Sequence, residues 1–237
     1  MLRNFGIKLA KTIKMGELIL KYIYTQEFYK TQNVKFEYYD NHNTSHSIPM
    51  EYDRTERHWF CNCEEDIIRY KFVVNDIIRL NDPNAGHYVE DENWEVWSVP
   101  GECVERKPRF AIYNISNNMQ YGVAKSLKKA AYTFDRPLDI YVGAGIRHVK
   151  GLHSVTYICF QPNGSIYKLE ERSIGQFEPS EADYEVIFRN HIASMHGRIA
   201  DGMWSYQIYL DGKCVVKDYF ALKRKVVQVM SMYNYKM

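Results

Sequence analysis

The sequence has no long uninterrupted hydrophobic segment. No stretch approaches the roughly 18–20 apolar residues that a membrane-spanning helix requires. Near the N-terminus, Lys8, Lys11 and Lys14 interrupt the region where a secretory signal would carry an unbroken apolar core. We therefore expect neither a transmembrane helix nor a secretory signal, and no partner at a membrane surface.

Cysteine and net charge are both low. The chain has five cysteines, an odd number at irregular spacing, which indicates reduced thiols and not a disulfide framework. Its 31 basic and 29 acidic side chains give a net charge of +2, so bulk charge does not argue for nucleic acid or an acidic substrate. We expect a protein of a reducing intracellular compartment or of a virion, and not a secreted protein.

Specific catalytic signatures are absent as well. The segment 139–145 places glycines after an apolar run, but no third glycine and no predicted helix follow at the spacing that a nucleotide-binding loop requires. A catalytic Ser-His-Asp or Cys-His arrangement is formed by residues that meet in space, and no spacing in this sequence identifies one. The sequence therefore favours a protein that is not an enzyme, with an enzyme as the alternative.

The residues that are plentiful indicate a folded protein rich in contact-forming side chains. The hydrophobic content of 46% is enough for a real core, and 20 of the 237 residues are tyrosine. Tyrosine offers a large contact area at low entropic cost and is enriched in interfaces. Tyr, Lys, Asn and Ile also have A/T-rich codons, which is typical of the genes of many phages and viruses.

Two turn sequences predict β-hairpins at 153–171 and 204–220. Asp211-Gly212 favours a type I′ turn, because both central residues of that turn need positive φ. In the first hairpin, Pro162 fits the second position of a type I turn, with Gly164 as a left-handed bulge residue. Each hairpin is followed by an apolar periodicity that predicts an amphipathic helix, from Ser180 and from Ala221.

The remaining patterns complete an α+β prediction with mainly antiparallel pairing. Strands are predicted at 33–40, 109–115 and 138–142. Further helices are predicted at 4–24, 64–80 and 117–134, the first of them basic and amphipathic. Within 64–80, a strand at 70–74 is the alternative to the helix. The long connection at 81–101 suggests a boundary between an N-terminal helical or mixed segment, 1–100, and an α+β domain, 101–237. One continuous domain is the alternative.

Five potential metal ligands lie close together in the sequence. They follow a His-x3-His and a His-x2-Cys-x-Cys spacing and are His42, His46, His58, Cys61 and Cys63. Zinc prefers four thiolate or imidazole ligands, so these residues predict a candidate zinc site and, with it, a metal-dependent hydrolase. The alternative is a set of unrelated surface histidines and half-buried thiols.

Clustered cations give candidate sites for nucleic acid or another anion. Three groups are recognised: Lys125, Lys128 and Lys129; Arg147 and His148; and Lys223, Arg224 and Lys225. Cations beside exposed tyrosines suit phosphate contacts and base stacking. An ordinary solvated helix face is the alternative for the lysine groups.

Four apolar residues are candidates for a protein interface. Phe5 and Leu9 lie on the predicted N-terminal helix, and Trp94 and Trp97 lie in an acidic, aromatic loop. Together these features predict a non-catalytic intracellular binding or assembly protein, such as a phage or viral structural or accessory component. It would act through protein–protein contacts or self-assembly. A zinc-dependent hydrolase and a sequence-tolerant nucleic-acid-binding protein are the alternatives.

Overall fold

The computed structural model describes residues 12–14, 17–25, 28, 30–63, 66–102, 108–116, 131–134, 138–175, 182–192 and 201–224. All regular secondary structure in these ranges is β-strand. The N-terminal strands are β1 Thr12–Lys14, β2 Glu17–Thr25, β3 Val34–Asp40, β4 Ser45–Pro49, β5 Glu51–Asp53, β6 His58–Cys63, β7 Ile67–Val74, β8 Ile78–Leu80, β9 His87–Glu90 and β10 Val96–Val99. The C-terminal strands are β11 Arg109–Ser116, β12 Ala131–Phe134, β13 Leu138–Val149, β14 His153–Phe160, β15 Ile166–Ile174, β16 Ala182–Ile192, β17 Gly202–Leu210 and β18 Lys213–Arg224.

The strands β1–β10, here called the N-terminal half, form two antiparallel sheets. One has the order β1-β2-β6-β5, and the other has the order β4-β3-β7-β10-β9, with β8 paired to β7. Strand β3 shows why a sheet face forms, since Val34, Phe36 and Tyr38 are buried while Lys35 between them is exposed. Facing side chains of the two sheets share one aromatic core, which includes Tyr22, Tyr24, Phe36, Tyr38, Cys61, Cys63, Tyr70 and Phe72.

The strands β11–β18, here called the C-terminal half, form two further sheets. Their orders are β11-β13-β16 and β12-β18-β17-β14-β15, and all described pairs are antiparallel except β12 with β18. A second core lies between these sheets and includes Ile140, Val142, Tyr157, Phe188, Trp204, Tyr206, Ile208 and Phe220.

The two halves are joined through strand β14, which is buried along its whole length. Tyr157 and Cys159 belong to the C-terminal core, while Ile158 and Phe160 point from the other face of the strand into the N-terminal core. This double burial explains why residues 157–160, the second half of β14, are apolar without interruption. The contact is tight, because a Cβ on Gly212 would lie 1.8 Å from the backbone oxygen of Asn81.

The α+β prediction is wrong, since the described residues contain strands where amphipathic helices were expected. Residues 182–192 pair with β13 along nearly their whole length, and their burial alternates with period two as Val186, Phe188, Asn190 and Ile192 turn inward. The apolar residues of this segment are β-branched or aromatic, which suits a strand as well as a helical stripe. Pairing with β13 selects the strand over the helix for this segment.

The other helix predictions fail for related reasons where the structure describes them. Within 64–80, the five consecutive buried residues of 70–74 form a strand covered on both faces, followed by a tight turn at 75–77. Residues 12–14 and 17–25 are strands, and β18 continues through Arg224. The segment 131–134 is also a strand, whereas 1–11, 117–130 and 225–237 lie outside the described residues.

Both hairpin turns have the geometry that their sequences indicate. Asp211 and Gly212 have φ values of 52° and 81°, and Gly164 has a φ of 82° with its N–H bonded to the carbonyl of Gln161. In the second hairpin a bulge shifts the register between Ile208 and Tyr209, so Val216 and Phe220 are buried and Tyr219 is 58% exposed.

Strands at 34–40, 109–116 and 138–149 lie where strands were expected, and 45–49, for which no strand was predicted, is also a strand. The division of the chain near residue 100 stays a prediction.

Candidate binding site

A cleft lies between the N-terminal and C-terminal halves and has a volume of about 250 Å³. We call it the Trp94 cleft. Its apolar rim is formed by Ile77, Trp94 and Leu169, and its polar lining is formed by Arg79, Asn93, Glu95, Thr156 and Glu171. Because Thr156, Leu169 and Glu171 come from β14 and β15, both halves must be in place for the cleft to exist.

A tight turn between β9 and β10 presents Trp94. The carboxylate of Asp91 accepts the backbone N–H of Asn93 at 2.9 Å, that of Glu95 at 3.0 Å, and the indole N–H of Trp97 at 3.0 Å. Burial alone would raise the pKa of Asp91, but these hydrogen bonds together hold it below the usual value. Trp94 at the tip has a φ of 63° and is 74% exposed, so the turn is fixed while the indole faces solvent.

The apolar rim concentrates exposed hydrophobic area in one place. Ile77, in the turn before β8, is 59% exposed, and Leu169 on β15 is 37% exposed. The described residues contain seven large hydrophobic side chains that are exposed, and three of them surround this cleft. Such clustering is typical of a contact surface, whereas single exposed hydrophobic residues need no explanation.

A charged network forms the floor of the cleft and links the halves. Lys71 is fully buried, and its Nζ donates hydrogen bonds to Glu95 at 2.9 Å and to Glu171 at 2.7 Å. Arg79 donates to the same oxygen of Glu95 at 2.7 Å and pairs with Glu37 at 2.7 Å. Burial raises the pKa of Glu171 even though the nearby Lys71 acts to lower it.

Thr156 contributes a polar atom that the protein does not use. Its side chain is 1% exposed, and among the described residues its Oγ1 has no hydrogen-bond partner. A buried hydroxyl without a partner costs free energy, so such groups are uncommon in folded proteins. Thr156 lines the Trp94 cleft, where a bound molecule could supply the missing partner.

The structure does not bring the five predicted zinc ligands together. Cys61 and Cys63 lie in the N-terminal core, whereas His58 is on the opposite face of β6, and burial raises the pKa of Cys61 to about 12. The ring of His46 contacts Asp40 at 3.0 Å, and His42 is exposed in the preceding turn. Within the ranges that the structure describes, no group of three His, Cys, Asp or Glu side chains is arranged to hold a metal ion.

The predicted basic sites are brought together only in part. Arg147 and His148 line a second cavity, of about 280 Å³, together with Arg109, Phe110 and Ala111. Lys223 is exposed on β18, in the other C-terminal sheet. The side chain of Arg224 and the residues Lys125, Lys128, Lys129 and Lys225 lie outside what the structure describes.

The two tryptophans proposed as contact residues have different environments. Trp94 is exposed, whereas Trp97 on β10 is 3% exposed. The guanidinium carbons of Arg69 and Arg79 lie 5.4 Å and 5.1 Å from the ring centre of Trp97. Phe5 and Leu9 lie outside the described residues.

The sequence did not identify Ile77, Leu169 or Thr156 as neighbours of Trp94, because these residues come from separate strands and turns. The only available signal was Asn75-Asp76, a turn-forming pair that marks the start of the β7–β8 hairpin.

No family model and no curated protein sequence matches this chain. Solved structures give distant likenesses. A DNA-bound alkylpurine DNA glycosylase of Pseudomonas fluorescens is 14% identical over 51% of this chain and 31% of its own, with a TM-score of 0.34. An immunoglobulin-like protein of Pseudomonas aeruginosa is 8% identical over 51% of this chain and 99% of its own, with a TM-score of 0.30. A β-glucuronidase of Bacteroides uniformis is 11% identical over 86% of this chain and 26% of its own, with a TM-score of 0.34.

These likenesses are too weak to assign a function, and the chain spans about a third or less of the glycosylase and the glucuronidase. A search of the described residues for a helix with the length and apolar character to cross a membrane finds none.

Proposed function

We propose that this protein is a non-catalytic binding protein that acts through protein–protein contacts, with the Trp94 cleft as its contact surface. The observation that carries the proposal is the apolar rim, in which Ile77, Trp94 and Leu169 remain exposed around one concave site. Tryptophan is one of the residue types that most often contribute a large share of the binding energy of protein interfaces.

The local structure favours binding because the rim is held in position before any partner arrives. Asp91 fixes the turn that presents Trp94, and Ile77 lies in a tight turn whose neighbours Asn75 and Asp76 have positive φ. A preorganised surface loses little conformational entropy on binding, so more of its contact energy appears as affinity. A zinc hydrolase has less support, since its proposed ligands lie on different faces of the N-terminal half.

Selection of peptides from a displayed random library tests the proposal. Wild-type protein would be the target, and each selected peptide would be measured against Trp94→Ser and, as the matched control, Tyr219→Ser. Tyr219 is also an exposed aromatic residue, at 58%, but lies on β18 and does not line the cleft.

We expect peptides whose affinity falls about tenfold or more with Trp94→Ser, the loss expected for a central aromatic contact, and is unchanged with Tyr219→Ser. Light scattering of the protein alone would show whether a second copy of the chain is the partner. A selection that yields no peptide sensitive to Trp94 would contradict the proposal.

A further inference from the structure

We infer that the Trp94 cleft receives a basic side chain, lysine or arginine, from a protein partner. This inference rests on the proposed function and adds the chemistry that the partner must present. It follows from three features of the cleft: its charge, its aromatic rim and its unused acceptor.

The charge of the floor favours a cation. Lys71 and Arg79 are paired with three carboxylates: Glu95 and Glu171, which line the cleft, and Glu37, which does not line it but bonds to Arg79. These five groups together carry an excess of one negative charge. Both cations are already engaged, because Lys71 bonds to Glu95 and Glu171, and Arg79 bonds to Glu37 and to the same Glu95. They are therefore poorly placed to bind an anion.

Glu95 has capacity for another bond. Its Oε1 accepts hydrogen bonds from both Lys71 and Arg79, and its Oε2 has no hydrogen bond within the described residues. An ionised carboxylate can accept several hydrogen bonds across its two oxygens. A lysine ammonium or arginine guanidinium is the ligand group that supplies both the donors and the missing positive charge.

The apolar rim suits the rest of such a side chain. Lysine and arginine carry aliphatic stems that pack on apolar surface while the charged end reaches polar groups. Ile77 and Leu169 offer the apolar surface, and the indole of Trp94 offers an aromatic face that attracts a cation. The exposed carboxylate of Glu92, next to this turn, adds to the attraction.

Thr156 supplies the second, independent observation. The residue lines the cleft, and its buried hydroxyl has no partner among the described residues. An ammonium or guanidinium has more donors than one carboxylate oxygen can accept, so the hydroxyl oxygen is a suitable further acceptor. This arrangement combines an acidic floor, an aromatic rim and a neutral acceptor at one site.

A titration followed by ¹⁵N NMR tests the inference on the full chain. The probes are N-acetylated, amidated hexapeptides of Gly and Ser with one central lysine, arginine, acetyl-lysine or norleucine. The signal is the indole N–H of Trp94, identified by its absence in Trp94→Phe. We expect the lysine and arginine peptides to shift this signal saturably, at concentrations at least about tenfold lower than the uncharged peptides need.

Variants separate the contributing groups. Thr156→Val keeps the shape of the side chain and should lower the affinity for the lysine peptide several-fold. Glu95→Gln should lower this affinity further. Glu92→Arg tests the outer charge, whereas Glu51→Gln, an exposed carboxylate on β5, is the control that should change nothing. Raising the salt concentration should weaken the binding of the charged peptides and leave the binding of the norleucine peptide unchanged.

The outcomes distinguish this inference from the proposed function. Equal binding of lysine and norleucine peptides, or selected peptides that depend on Trp94 but lack a basic residue, would overturn the inference while the proposed function stands. Absence of any Trp94-dependent peptide in the selection would overturn the proposed function itself.

Discussion

Lys71→Met tests whether the buried charge network holds the two halves together. Lys71 is fully buried, and its ammonium bonds to Glu95 of the N-terminal half and Glu171 of the C-terminal half. Methionine has a similar length and is apolar, so the substitution removes the charge and both hydrogen bonds with little change in packing. What remains is a pair of carboxylates that have lost a common partner.

The expected cost can be worked from the structure. Removing one partner of a buried ion pair costs about 3–5 kcal/mol, because the other charge is left uncompensated. Here Glu95 keeps Arg79, Glu171 keeps the amide of Asn81 at 3.1 Å, and the two carboxylates are 27% and 19% exposed. These remaining contacts place the expected loss near the lower end, at about 3 kcal/mol of unfolding free energy.

Urea denaturation at pH 7, followed by tryptophan fluorescence and circular dichroism, measures this loss. The double variant Lys71→Met with Glu171→Gln should recover at least a third of it, since the second change removes a buried carboxylate that has lost its partner. Lys35→Met, which breaks an exposed ion pair with Asp76 at 2.6 Å, is the matched control and should cause no measurable change. A loss below about 1 kcal/mol for Lys71→Met would refute the reasoning.

The same variant has a predictable pH dependence. Burial raises the pKa of Glu171 in the folded protein, and loss of Lys71 removes an interaction that lowers it. A carboxyl group whose folded pKa lies above its unfolded pKa binds protons more tightly in the folded state, so it destabilises the protein at higher pH. The difference between wild type and Lys71→Met should therefore shrink as pH falls from 7 towards 5, and a constant difference would contradict this assignment.

Four further changes have clear expected outcomes. Thr156→Val should raise the free energy of unfolding by about 1 kcal/mol, measured in urea, because it removes a buried hydroxyl that has no partner. Gly212→Ala should lower the unfolding free energy by at least about 2 kcal/mol, since φ is 81° and the new Cβ would meet the backbone of Asn81 at 1.8 Å. Trp94→Ala should change thermal stability by no more than about 0.5 kcal/mol, because the side chain is 74% exposed. Asp91→Asn should lower the melting temperature at pH 7, and this effect should shrink as pH falls. The folded pKa of Asp91 is depressed, so the stability that its carboxylate contributes is present above the unfolded pKa and is lost as pH falls through the folded one.

The sequence was informative where local chemistry alone determines the conformation. Asp211-Gly212 and Pro162–Gly164 have few alternatives, because positive φ and the proline ring restrict the backbone strongly. The predicted helices had no such local constraint. Segment 182–192 carries apolar residues that fit a period of 3.6 or of 2, and only its pairing with β13 selects the strand.

The candidate site was harder to predict because its residues meet only in the folded protein. Trp94 attracted attention as an aromatic residue in an acidic loop, but nothing in the sequence separates it from Trp97, which is buried beside Arg69 and Arg79. Thr156 lies within the buried strand β14 and carries no local signal of function. Its proposed role follows from a hydroxyl that has no hydrogen-bond partner among the described residues, which depends on the folded structure.

The binding that we propose at the Trp94 cleft would be linked to the stability of the contact between the halves. Ile77 and Trp94 come from the N-terminal half, whereas Thr156 and Leu169 come from the C-terminal half, and Lys71 joins the two directly beneath them. A ligand that binds only when both halves are in contact stabilises that contact by mass action, in proportion to its concentration relative to its dissociation constant. The reverse also holds, because any change that weakens the contact lowers the fraction of molecules with a complete cleft. The polar network is therefore part of the proposed binding site even though Lys71 is fully buried.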